Sequence, residues 1–173
     1  MIVLARHGQT AFNAERRFQG RLPVPLDATG REQAGALAEA AAGHRFAALW
    51  CSPLRRARET ADAVAARLGL EPREDERFAE TDTGEWTGRS FAEVQAEQPR
   101  AFAAFERADP GFAFPGGESY GAQAERVRAG LRDVGRGALP ALVVCHRGVI
   151  RLALGGGPLA VDNAALVPLP LSP

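Results

Sequence analysis

The chain opens on an unbroken apolar run, Ile2-Val3-Leu4-Ala5, that ends abruptly in Arg6-His7-Gly8. Two of its four residues are β-branched and no polar position interrupts it. That is the pattern of a strand buried on both faces of a parallel sheet. The pattern returns at Leu142-Val143-Val144, which ends in Cys145-His146-Arg147-Gly148. Ala47 to Cys51 forms a third short run, and Glu71 to Arg77 and Ala164 to Leu169 hold two further extended segments. Helical spacing lies between them. Ala34, Leu37, Ala38 and Ala41 share one face of a helix running to about Gly43, with Thr29 as its expected cap and Glu32 as capping-box partner. Ser52 as N-cap and Pro53 at the first helical position predict a second helix through Arg55, Arg56, Thr60 and Val64 to Gly69. Ser90 opens another, broken near Pro99 and resumed to about Arg107. Glu118-Ser119 opens one to about Gly135, and a short helix from Val149 to Leu154 stops at Gly155-Gly156-Gly157-Pro158.

The remaining stretches are connectors. Ala11 to Gly20 reads as a short helix or loop over the sheet edge. Leu22-Pro23-Val24-Pro25-Leu26 is extended, since neither proline can donate to a ladder or continue a helix. Phe78 to Gly88 and Asp109 to Gly117 lack periodicity. The alternation of strands and helices predicts an α/β fold, a three-layer α/β/α arrangement with a mainly parallel central sheet. An irregular cap lies over the strand carboxyl ends. With 173 residues and no repeat, low-complexity tract or linker, a single domain over residues 1–173 is expected.

Charge changes this picture little, because 21 cations balance 21 carboxylates. No global field favours nucleic acid or an anionic membrane. The cations are arginines, which suit bidentate contact with phosphate or carboxylate. Cys51 and Cys145 lack metal-ligand spacing and are expected as reduced, buried thiols. The first apolar run is too short for a signal peptide or membrane span, so a soluble cytoplasmic protein is expected.

Ligands of open α/β sheets sit beyond the carboxyl ends of the strands, where Arg6, His7 and His146 would be delivered. Two of the chain's three histidines occupy this position. Arg6 and Arg56 can neutralise a phosphate dianion; one histidine could attack while the other stabilises charge. Gly8 would let the backbone turn tightly and a ligand come close. No carboxylate cluster or Lys-bearing P-loop asks for a metal or other cofactor.

Six segments in order extend the signal. Arg6-His7-Gly8-Gln9-Thr10 with Asn13, then Phe18-Gln19-Gly20 and Pro25-Leu26 with Gly30 as one segment, and Ser52-Pro53-Leu54-Arg55-Arg56-Ala57 with Thr60-Ala61 come first. Glu80 with Gly84, Trp86 and Gly88 follows. Pro115-Gly116-Gly117-Glu118-Ser119 and Val144-Cys145-His146-Arg147-Gly148-Val149-Ile150-Arg151 complete the set. The chain thereby resembles the histidine phosphatase superfamily, in its phosphoglycerate-mutase-like branch with the RHG signature. The resemblance implies His7 as nucleophile through a phosphohistidine. Arg6, Arg56 and His146 would cradle the transferring oxygens, and Glu80 would act as acid and then base. Gly8, Asn13, Gln19, Gly20 and Gly148 would contact the substrate, and no metal or cofactor would take part. His7 should be neutral, His146 protonated beside a dianion, and Glu80 raised in pKa, with Phe78 and Trp86 as apolar surroundings.

Two departures bear on function. The segment after His146 is short and rich in glycine, and the chain lacks the insertions that close the site of the cofactor-dependent mutases. A more open site favours hydrolysis. The reading is therefore a phosphatase acting on a small phosphorylated metabolite, as a monomer or homodimer. A bisphosphate-dependent phosphoglycerate mutase is the alternative, and a non-catalytic phospho-ligand module a third. Arg147 is an unassigned cation that either faces solvent or meets a second anionic group.

Overall fold

A computed structural model describes residues 1–157 and 159–170. Pro158 of the glycine-rich stop and the last three residues of the proline-rich end lie outside the described residues. Five strands form one sheet: β1 (Ile2–Arg6), β2 (Ala48–Cys51), β3 (Pro72–Glu74), β4 (Ala141–Cys145) and β5 (Leu166–Pro168). Their order is β3-β2-β4-β1-β5, parallel except for β5, which runs antiparallel along β1. The fold is therefore a mixed α/β fold with a mostly parallel sheet, as the alternation of elements predicts.

The apolar runs are buried on both faces, and alternate residues reach different layers. Val3 and Ala5 of β1, with Leu142 and Val144 of β4, pack on α2 (Ala28–Ala42) and α3 (Arg55–Leu68). Leu4, Val143 and Cys145 point the other way, toward Val127 and Val134 of α6 (Tyr120–Arg136) and Val149 and Ile150 of α7 (Arg147–Ala153). Burying whole strands this way removes roughly 1.5–3 kcal/mol worth of apolar surface per large side chain from water.

A third cluster is almost entirely aromatic. Phe18, Trp86, Phe102, Phe105, Phe112, Phe114 and Tyr120 pack together above the strand ends. They come from the turn after α1 (Ala11–Ala14), from a 3₁₀ turn at Gly84–Trp86, from α5 (Pro99–Glu106), and from the loop and first turn leading into α6. Here α4 (Phe91–Glu97), capped by Ser90, is separated from α5 at Pro99, as the proline requires. This is the irregular cap.

Two helix starts differ from the local pattern. Helix α2 begins at Ala28, capped by Asp27 rather than Thr29, with Asp27 Oδ1 accepting from Gly30 N at 2.7 Å. Asp27 is also tied to Gln9, whose side chain donates to Oδ2 at 3.1 Å, so a tertiary bond decides the cap. Helix α3 begins at Arg55, and its N-cap residue Leu54 supplies no side-chain bond. Ser52 lies ahead of the helix; its hydroxyl accepts from Leu54 N at 3.2 Å and is paired at the same time with His146 Nε2 at 2.7 Å.

Candidate active site

Register places the site. Arg6 pairs with Cys145 and Cys51 with Val144, so β1, β2 and β4 end level with one another. His7 N donates to the Cys145 carbonyl at 3.0 Å and Ser52 N to the Val144 carbonyl at 2.9 Å. His7 and His146 thus leave adjacent strands side by side, their ring centroids 5.1 Å apart. Both are buried. His7 lines an open cleft of about 670 Å³ counted out to its mouth, as do Arg6, Arg56, Glu80 and Gly148; His146, fully buried, lies behind His7 and does not line it.

The hydrogen bonds determine which nitrogen of His7 is available. Its Nδ1 lies 2.7 Å from the Gly8 carbonyl, and a carbonyl can only accept, so Nδ1 carries the proton and Nε2 keeps its lone pair. Burial, followed by Arg56, His146 and Arg6, holds His7 well below the usual imidazole range. At neutral pH it is an uncharged imidazole whose free nitrogen is not the one facing its own backbone.

The arginines are immobilised from behind. Arg56 is buried and donates to the carbonyls of Leu22 at 3.1 Å and Gly20 at 2.9 Å. Arg6 donates through Nη1 to the Val161 carbonyl. Burial is the main influence that pulls each down to about 10, so both remain cations at neutral pH. Arg6 Nε, Arg56 Nε and His146 Nδ1 are all buried without a protein partner. Buried polar groups are otherwise satisfied as a rule, so orphaned nitrogens on Arg6 and Arg56 at the cleft wall, and on His146 behind His7, suit a ligand rich in oxygens.

His146 is reached by Ser52, and burial, Arg56, Arg126 and Arg6 hold it well below its usual range in the unliganded protein. It is therefore neutral there, and only an arriving dianion would reverse this. Glu80 departs from expectation as well. Part of its surface faces the cleft, yet desolvation is the largest influence on it and pushes it up. The Thr81 N–H, Arg56 and the Gly148 N–H together outweigh that push, and its pKa lies below the usual carboxylate value. Phe78 packs beneath α6 and Trp86 within the cap, so neither provides apolar surroundings for the carboxylate.

The other expected contacts divide. Asn13, Gln19, Gly20 and Gly148 line the cleft. Asn13 Oδ1 accepts from Thr10 N at 3.1 Å, and Gln19 accepts from the Thr10 hydroxyl at 2.8 Å. A Cβ on Gly148 would collide with the Glu80 carboxylate. Gly8 does not line the cleft; a Cβ there would strike the Gly30 carbonyl. Its glycine character serves packing against α2, and its carbonyl serves the His7 tautomer. Sequence reasoning missed the residues behind the site. Thr60 accepts from Gly8 N at 3.1 Å, Gln123 donates to Glu80 at 3.3 Å, and Arg126 holds the carbonyls of Arg77 and Ala79 while pairing with Glu118 at 2.7 Å. The Thr60 and Glu118 motif matches were the advance signals; Gln123 and Arg126 reach Glu80, Arg77 and Ala79 across 43 to 49 residues with no local pattern. Among the described residues, no group of three or more His, Cys, Asp or Glu could hold a metal ion, and no helix is long and apolar enough to cross a membrane. Cys51 and Cys145 are buried free thiols, and burial pushes both up, Cys51 to about 12.

The two neutral histidines make a pH prediction. Unfolded, each titrates near pH 6.5, so below that the unfolded chain binds protons that the folded chain does not, and stability falls with pH. Each contributes a slope of up to about 1.4 kcal/mol per pH unit. Urea midpoints measured from about pH 8 down to about pH 5 should therefore decline below about 6.5. A His146→Asn variant should show a shallower decline than the wild type, whereas equal slopes would mean that His146 titrates normally.

A strand-end cleft with a neutral histidine and two fixed arginines whose buried Nε atoms lack partners has the chemistry of an anion-binding site. The family model of the histidine phosphatase superfamily (branch 1) matches residues 2–160. The chain belongs to that family and is a phosphatase of it. It is 36% identical over 184 residues to the glucosyl-3-phosphoglycerate phosphatase of Mycobacterium tuberculosis, covering 99% of this chain and 77% of that one. It is 37% identical over 155 residues to phosphoglycerate mutase-like protein 4 of Arabidopsis thaliana, covering 87% and 67%. Among solved structures, a mycobacterial glucosyl-3-phosphoglycerate phosphatase in complex with VO3 superposes with a TM-score of 0.86 at 33% identity, over 95% of this chain and 90% of that one.

Proposed function

We propose that this protein is a metal-independent phosphomonoesterase that hydrolyses a small phosphorylated metabolite through a phosphohistidine on His7. The observation that carries this reading is the Nδ1 bond to the Gly8 carbonyl, which leaves Nε2 as a neutral nucleophile beside the orphaned Nε donors of Arg6 and Arg56. In the first step Nε2 bonds to phosphorus and the ester P–O bond breaks. The arginines supply the charge neutralisation that phosphoryl transfer demands. Glu80 delivers a proton to the departing oxygen. It is ionised in the free protein, so the incoming dianion must raise it, as one anion raises another. In the second step Glu80 takes the proton of a water whose oxygen attacks phosphorus, the N–P bond breaks, and inorganic phosphate leaves.

An assay with excess EDTA tests this directly, using an aryl phosphate and a panel that includes glucosyl-3-phosphoglycerate, the ester in the names of the mycobacterial relatives. Phosphate release that survives chelation and needs no bisphosphate is the expected result. The similarity to a mutase-like protein favours one rival, an isomerase. Interconversion of phosphoglycerates only when a bisphosphate is added would establish that rival instead.

A further inference from the structure

Arg147 and Arg151 stand one turn apart on α7, hence on one face of it, and both line the cleft. The phosphoryl site already has its donors in Arg6, Arg56 and His146, so these two cations are surplus to it. Neither has a carboxylate within ion-pair distance among the described residues, although ten such pairs form elsewhere. Arg151 is the sharper case. It is only 4% exposed, and its Nε is buried with no partner. Its Nη1 makes a long hydrogen bond, 3.4 Å to the Phe105 carbonyl. The guanidinium sits 4.6 Å above the Tyr120 ring and 5.9 Å from that of Phe105. Cation–π contact offsets part of the desolvation of a buried cation but supplies no counter-charge. Arg147 lies near enough to Arg6 to lower it. Around the pair, Phe91, Phe105, Phe114 and Tyr120 give the cleft an aromatic wall, suited to a carbon skeleton. Five arginines line the cleft against one carboxylate, Glu80, and a phosphoryl dianion alone leaves positive charge unanswered.

We propose that Arg147 and Arg151 form a second anion subsite, and that the alcohol part of the substrate carries its own acidic group, a carboxylate or a second phosphoryl. This rests on the phosphatase reading for the position of the first phosphoryl group.

The test compares matched esters in phosphate release: 3-phosphoglycerate against glycerol 3-phosphate, and fructose 1,6-bisphosphate against fructose 6-phosphate. A charge-assisted contact should favour the more acidic member of at least one pair by roughly ten- to a hundredfold in kcat/KM. The pair with the larger ratio identifies the acid. Arg147→Gln should bring that ratio toward one, and because each ratio is taken within one variant, a general loss of activity cancels. Arg147 is half-exposed, so its replacement tests the proposal even if Arg151→Gln fails to fold; Arg151→Lys should keep part of the preference. Equal rates on both members of both pairs in the wild type would overturn the subsite and leave the phosphatase standing. A preference unchanged by both Arg147→Gln and Arg151→Lys would overturn it too. If no ester is hydrolysed, the phosphatase reading fails, and calorimetric binding of the same esters decides the subsite. Tighter binding of the acidic member, lost in Arg147→Gln, supports it; equal binding overturns it.

Discussion

Replacing His7 with alanine is expected to lower phosphate release by about four orders of magnitude or more, because a covalent nucleophile has no substitute in the cleft. His146 is the nearest other imidazole, at 5.1 Å between centroids, but its Nε2 is engaged by Ser52 and the ring is fully buried. The loss should fall on kcat rather than on ground-state binding, since the substitution leaves Arg6 and Arg56 at the cleft wall in place. Brief mixing with substrate labelled in its phosphate gives the second readout. Wild-type protein should carry label that survives an alkaline quench and is lost in acid, as an N–P bond is, whereas His7→Ala should carry none. Turnover of His7→Ala within tenfold of the wild type would show that phosphorus never bonds to His7.

Glu80→Gln is expected to cost roughly 10²- to 10⁴-fold on an alkyl phosphate, the usual range for loss of a general acid–base group. The loss should shrink on p-nitrophenyl phosphate, whose leaving group departs without a proton. The amide keeps the size of the carboxylate but has one accepting oxygen, so it can keep the Thr81 N–H bond made to Oε1 and gives up the long Gly148 contact, 3.4 Å from Oε2. Because Glu80 lies below the usual carboxylate value in the free protein, the proton it donates must arrive with the substrate. The activity of the wild type should therefore fall at high pH at a point set by the enzyme–substrate complex, and the variant should lack that limb. An equal loss on alkyl and aryl esters would remove Glu80 from proton transfer.

Local pattern carried much of this protein. Unbroken apolar runs ending in Arg6-His7-Gly8 and Cys145-His146-Arg147-Gly148 were enough to expect two histidines at the carboxyl end of a parallel sheet, because strand burial and strand termination are properties of neighbouring residues. Pro99, Ser119 and Gly69 likewise acted where they stand, breaking, capping and ending helices in the structure.

What chain pattern could not decide were the partners of polar groups, which come from far along the sequence. Ser52 reads as a helix cap, and its hydroxyl does accept from Leu54 N, but nothing local shows that it also pairs with His146, 94 residues away. Gly8 reads as a contact for ligand, but Gly30 fills the space beside it. Glu80 reads as a carboxyl among aromatics, yet backbone N–H groups and Arg56 surround it and keep it ionised. Arg151 reads as an ordinary helix residue until folding buries it over Tyr120 without a counter-charge. Hydrophobic periodicity is a short-range property and survives in the sequence; charge balance and hydrogen-bond satisfaction are sums over everything within a few ångströms, and only the tertiary structure brings those groups together.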